Sequence, residues 1–132
     1  MALNTIEKFT VREVGPREWG REVLIAQTDQ YIGKVLYMRA GTAGGLQFHR
    51  EKIETFYLHS GRAVVTTDFG GGVLTECVME PGESYHIPSG AVHKVEALHD
   101  CVFFECSTPV FDDRVRVEHL YGLPTDGGLP TT

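Results

Sequence analysis

Glycine and proline cut this chain into short runs, and that punctuation limits its fold more than any other feature. Gly15-Pro16, Gly70-Gly71-Gly72, Pro81-Gly82 and Pro88-Ser89-Gly90 are turn signals, because glycine reaches positive φ and proline fixes its own φ. The intervening segments 9–14, 22–26, 30–40, 63–68, 73–79, 83–87, 92–97 and 100–107 have strand length and composition, and helical periodicity is nearly absent. Seven or more short strands at regular spacing predict an all-β sandwich or barrel. Segments 63–68 and 73–79 flank the glycine triplet as a β-hairpin. No helix follows that triplet and no Lys-Ser/Thr closes it, so it reads as a turn and not as a phosphate loop.

A length of 132 residues fits one domain, with a core expected over about residues 22–110. Residues 1–20 read as an arm lying over a sheet, and 112–120 as a charged amphipathic segment of one or two helical turns. Residues 123–132, rich in Gly, Pro and Thr, read as a mobile tail. In segment 30–40 neither alternate set is purely apolar, so the inward face is open. Phe48, Phe56, Tyr57, Phe103 and Phe104 are expected in the core.

Chemistry concentrates between residues 41 and 61. Gln47 and His49 lie two apart in an extended segment, so their side chains leave one face. After the charged bend Arg50-Glu51-Lys52, Glu54 opens the next apolar run, and His93 follows the Pro88-Ser89-Gly90 turn. An amide oxygen, two imidazoles and a carboxylate drawn from strands suit a divalent metal with open positions. A jelly-roll barrel brings ligands from two separated hairpins into one mouth. The other histidines have plainer readings: His59 points away from Glu54 by parity, His86 is a packed or half-exposed reserve, and His99 and His119 are surface residues.

Charge narrows the partners. A formal net charge of −6 and a pI near 5.4 argue against nucleic acid or an anionic membrane. No apolar run reaches the roughly 18 residues that a membrane helix needs, and residues 1–8 lack the pattern of a secretory signal. Cys77, Cys101 and Cys106 are odd in number with no Cys-x-x-Cys spacing, which predicts reduced, buried thiols in a cytoplasmic protein.

These residues resemble the two motifs of the cupin family. The first, G-x5-H-x-H-x3,4-E-x6-G, is matched by Gly41, Gln47, His49, Glu54 and Gly61, with Gln47 in place of the first histidine. The second, G-x5-P-x-G-x2-H-x3-N, is matched by Gly82, Pro88, Gly90 and His93, with Ala97 in place of asparagine. The resemblance spans residues 41–97 and implies a single jelly-roll domain. Its Gln-x-His form is similar to phosphomannose isomerases, which bind zinc through a glutamine, two histidines and a glutamate. Ser107-Thr108-Pro109, Asp112-Asp113, Arg116, Glu118 and Tyr121-Gly122 are similar to small cupins related to mannose-6-phosphate isomerase, although Leu123 stands where that group often carries arginine. The resemblance thus implies a metal-dependent sugar-phosphate isomerase or epimerase.

With Gln47, His49, Glu54 and His93 as ligands, one neutral amide oxygen makes the site harder and favours zinc or manganese as Lewis acid, with iron or nickel as alternatives. Isomerisation also needs a base; Glu105 is the candidate, with Lys34 and Lys52 behind it. Arg39, Arg50 and Arg116 are candidates for holding a phosphate. The expected partner is a small polar or phosphorylated carbohydrate, and the open face of segment 30–40 suggests a homodimer. Competing readings are a cupin dioxygenase and a module that binds a small ligand without transforming it.

Overall fold

The computed structural model describes residues 4–124. Its strands are β1 (Arg12–Arg17), β2 (Gly20–Gln27), β3 (Ile32–Met38), β4 (Gln47–His49), β5 (Glu54–Ser60), β6 (Ala63–Asp68), β7 (Leu74–Met79), β8 (Ser84–Ile87), β9 (His93–Ala97), β10 (Cys101–Ser107) and β11 (Arg114–Arg116), followed by a 3-10 turn, Glu118–Tyr121. They form a six-stranded sheet in the order β1-β2-β3-β10-β5-β8 and a five-stranded sheet in the order β11-β4-β9-β6-β7. All pairings are antiparallel. The fold is an all-β jelly roll, as the turn punctuation predicts. Among the described residues no helix is long and apolar enough to cross a membrane.

The core lies between the sheets. Phe56, Leu58 and Phe103 come from the larger sheet, Ala63, Val65 and Met79 from the smaller. Alternation does the sorting: on β10, Cys101, Phe103, Glu105 and Ser107 are buried, while Phe104 and Cys106 are exposed. On β3 the inward set is Ile32, Lys34 and Met38, so a lysine shares the apolar face.

Several expectations need correction. The first strand lies at Arg12–Arg17, not 9–14, because it pairs with β2 as an edge strand. Trp19 is not part of an arm; it is buried in the core at the β1–β2 turn. The expected helical segment at 112–120 is a short strand, β11, followed by a single 3-10 turn, since pairing with β4 supplies hydrogen bonds that an isolated short helix would lack. Tyr57 and Phe104 lie on the outer face of the larger sheet, 38% and 37% exposed, and not in the core. Of the cysteines only Cys101 is buried; Cys106 is exposed. His86 is exposed on β8. Residues 125–132 of the expected tail lie outside the described residues.

Candidate metal centre

The two sheets meet where β4 runs into β5. Gln47 and His49 are the alternate, buried residues of β4, and Glu54 is the first residue of β5. His93 opens β9 and stands opposite Gln47 in the register pair that joins β4 to β9. The Pro88–Ala91 turn is held against β4 by Gly90 N donating to His49 O at 2.8 Å. Gly90 sits at φ 81° there, a left-handed position that glycine takes without strain.

All four side chains line one cavity of about 70 Å³. Nitrogen atoms of His49 and His93 and a carboxylate oxygen of Glu54 lie within 4.8 Å of one another. Glu54 Oε1 is 3.8 Å from His49 Nε2 and 3.4 Å from His93 Nε2. The far ring nitrogens are engaged elsewhere. His49 Nδ1 stands 2.9 Å from Asp113 Oδ1, and His93 Nδ1 2.9 Å from the Ala91 carbonyl oxygen. Since those oxygens only accept, each ring offers them its Nδ1 proton, and Nε2 is the atom that faces the cavity. Burial, its largest cause, holds the His49 pKa below the usual imidazole value, with Lys52 and His93 adding to it against Glu54 and Asp113. Two imidazoles, one carboxylate oxygen and one amide fit a first-row dication.

Behind the ligands runs a chain of buried charges. Lys52 Nζ is 2.9 Å from Glu54 Oε2 and 3.3 Å from Glu105 Oε2. Lys34 Nζ is 3.8 Å from Glu105 and 3.7 Å from Glu22, which Arg17 meets at 3.2 Å. Three cations alternate with three carboxylates, and this mutual pairing is what makes their burial tolerable. For Glu54, burial alone would raise the pKa; the His93 hydrogen bond and the Lys52 charge outweigh it and hold the group well below the carboxylate range. Lys52 is raised, because Glu105 and Glu54 overcome its burial. Glu105 goes the other way: burial, then the Glu54 charge, push it up to about 7.

The structure brings some predicted site residues together and leaves others apart. Glu105 lines the cavity with the four ligand candidates, as does Glu22. Lys34 and Lys52 are buried behind that wall, each between two carboxylates. Arg39 is exposed and donates to the Glu18 carbonyl, and Arg50 is exposed in the β4–β5 turn. Arg116 is half-buried in an ion pair with Glu118. Its guanidinium occupies the space that a Cβ at Gly45 would fill. Two residues were missed in the sequence. Glu22 shares the parity of buried Leu24, so strand alternation already aimed it inward. Asp113 had no such signal, because its contact to His49 spans 64 positions of chain.

Comparison with known proteins agrees with this architecture. The cupin domain family matches residues 34–105. No curated protein matches the chain. The capsular polysaccharide assembling protein CapF of Staphylococcus aureus superposes with a TM-score of 0.71 at 21% identity, over 83% of this chain and 32% of CapF. KdgF from Halomonas sp. gives a TM-score of 0.67 at 17% identity, over 77% of this chain and 89% of KdgF. Bacillus subtilis oxalate decarboxylase, a protein with Mn(II) centres, gives 0.63 at 19% identity, over 76% of this chain and 29% of its own. At these identities the likeness is one of fold. The chain spans about a third of the CapF length.

Proposed function

The chain belongs to the cupin family, and on that footing we propose that it is a metal-dependent isomerase or epimerase of small hydroxy-carbonyl compounds of the sugar or sugar-phosphate class. The observation that carries this reading is Glu105, a carboxyl group on the wall of the ligand-bearing cavity whose pKa is raised to about 7. A carboxyl titrating there both takes and returns a proton near neutral pH, as aldose–ketose interconversion requires. Zinc or manganese, held by Gln47, His49, Glu54 and His93, would supply Lewis-acid polarisation of the substrate carbonyl.

The protein's own groups divide the remaining work. Glu105 takes the proton from the carbon beside the carbonyl and returns it to the carbonyl carbon, while the neighbouring hydroxyl proton passes to the carbonyl oxygen. Lys52 and Lys34 hold Glu105 in place from behind. With its pKa raised, Lys52 stays an ammonium, so it acts as a fixed charge and not as a base. Trp19, Met38, Phe56 and Phe103 give the cavity an apolar wall, which keeps bulk water from the reacting carbons.

Size sets how a substrate enters. The cavity of about 70 Å³ matches the volume of about two water molecules, so it accepts the reacting end of a sugar and not the whole molecule. A phosphate would remain outside, near Lys94. Among the described residues that lysine is the one cation on the cavity wall, and it also borders an outer groove of about 410 Å³. The three free cysteines support a cytoplasmic setting.

The test is proton exchange. Zinc- or manganese-loaded protein incubated in D2O with triose, pentose and hexose phosphates and the free sugars should incorporate deuterium beside the carbonyl of at least one. Glu105→Gln should abolish it. Absence of exchange across the whole set would remove the proposal, and oxygen-dependent turnover with Fe(II) would replace it with the dioxygenase reading.

A further inference from the structure

The strand that carries two of the four ligand candidates is short and thinly supported. β4 has three residues, and one register pair joins it to β9. Its other edge is covered by the C-terminal segment, through Arg114 opposite His49, Val115 opposite Phe48 and Arg116 opposite Gln47. Five further contacts fasten that segment. Asp113 Oδ2 accepts from Glu51 N at 2.8 Å and from Lys52 N at 2.9 Å. Leu46 N donates to Glu118 Oε2 at 3.1 Å, and Val117 N to Leu46 O at 2.9 Å. Tyr121 Oη donates to Asp68 Oδ2 at 2.7 Å. Asp112, at φ 56°, makes the left-handed bend that precedes Asp113, a position aspartate tolerates better than most residues.

We propose that residues 113–121 act as a clasp that completes the metal centre, with Asp113 the positioning residue that fixes the tautomer and ring orientation of His49. This rests on the reading of Gln47, His49, Glu54 and His93 as metal ligands. One carboxylate does two jobs: Oδ1 holds His49 Nδ1, while Oδ2 closes the β4–β5 turn that brings Glu54 alongside. Such an outer partner raises the basicity of the imidazole and spares the ion the cost of orienting it. Linkage then makes the effect reciprocal: whatever the docked clasp adds to metal affinity, bound metal adds to the docking of the clasp.

Two measurements test this. The first uses the full chain without metal, labelled with 15N at histidine: His49 should be the Nδ1–H tautomer, and an Nε2–H tautomer would overturn the proposal. It needs no variant and no bound ion, so it decides the positioning of His49 by Asp113 even if the isomerase reading fails. The second compares zinc or manganese titration and amide exchange for wild type and Asp113→Ala. The variant should bind about 10- to 100-fold more weakly. In the wild type, metal should slow exchange at Leu46, Glu51, Lys52 and Val117. Equal affinity in the variant, or a wild-type clasp whose exchange ignores the metal, would overturn it.

Discussion

Lys52 Nζ lies 2.9 Å from Glu54 Oε2, so the carboxylate that turns Oε1 toward two imidazoles is held on its other side by a buried ammonium. Each oxygen of Glu54 thus has a separate duty. The same lysine reaches Glu105 at 3.3 Å, which links the ligand cluster to the proposed proton carrier through one cation.

Removing that cation should be costly. Lys52→Ala leaves Glu54 and Glu105 buried without their shared partner, a change expected to cost about 3–5 kcal/mol. Urea denaturation of metal-free protein measures it, and added metal should restore part of the loss by binding only the folded state. A loss under about 1 kcal/mol would show that the pair is already screened by water.

Glu105 makes stability depend on pH in a defined direction. Its folded pKa of about 7 exceeds the ordinary glutamate value of about 4.3, so the folded state binds the extra proton between those limits. Its contribution is therefore complete below about pH 4.3, falls as pH rises and is gone above about 7. The stability of metal-free wild type relative to Glu105→Gln should decline across that window and stay flat above it. A difference independent of pH from 4 to 8 would contradict the buried, protonated carboxyl.

Ligand variants should rank by chemistry. His49→Ala and Glu54→Ala should each weaken zinc or manganese binding by more than about 100-fold, because they remove a ligand outright and not merely its outer partner. Gln47→Ala removes a neutral amide oxygen and should cost less. With the His49 pKa held below the usual value by burial, protonation of His49 should begin to compete with the metal only in more acidic solution than for an ordinary imidazole. Calorimetric titration reads all of these.

Much of the site could be read in the sequence because its spacing is local. Parity put Gln47 and His49 on one face, and the turn residues placed Glu54 and His93 at strand starts. The β3 face stayed open because Lys34 sits among Ile32 and Met38, and only its partners Glu22 and Glu105, on other strands, explain a buried lysine. Residues 112–120 misled for a similar reason: their charges suit a helix surface, but the segment is claimed by β4 and by His49, some 64 positions away in the chain. Tyr57 and Phe104 read as core because aromatic residues on strands usually are.

The exposed aromatic face carries a prediction of its own. Val23, Val35, Phe104 and Tyr57 lie in one cross-strand row, and the Tyr57 and Phe104 rings stack at 6.1 Å between centroids. With Tyr37 and Val102 beside them, they form an apolar patch on the outer face of the larger sheet. We propose that a second copy covers it. Sedimentation should show a dimer at micromolar concentration, and Phe104→Glu should yield a folded monomer. A monomeric wild type would overturn this.

The central claim is that Gln47, His49, Glu54 and His93 surround one dication, and anomalous diffraction from crystals grown with zinc or manganese tests it most directly. The account predicts a single strong peak between β4, β5 and β9, about 2.0–2.2 Å from Nε2 of both histidines and from Oε1 of Glu54. An empty cavity at saturating metal, or a peak held by other residues, would contradict it.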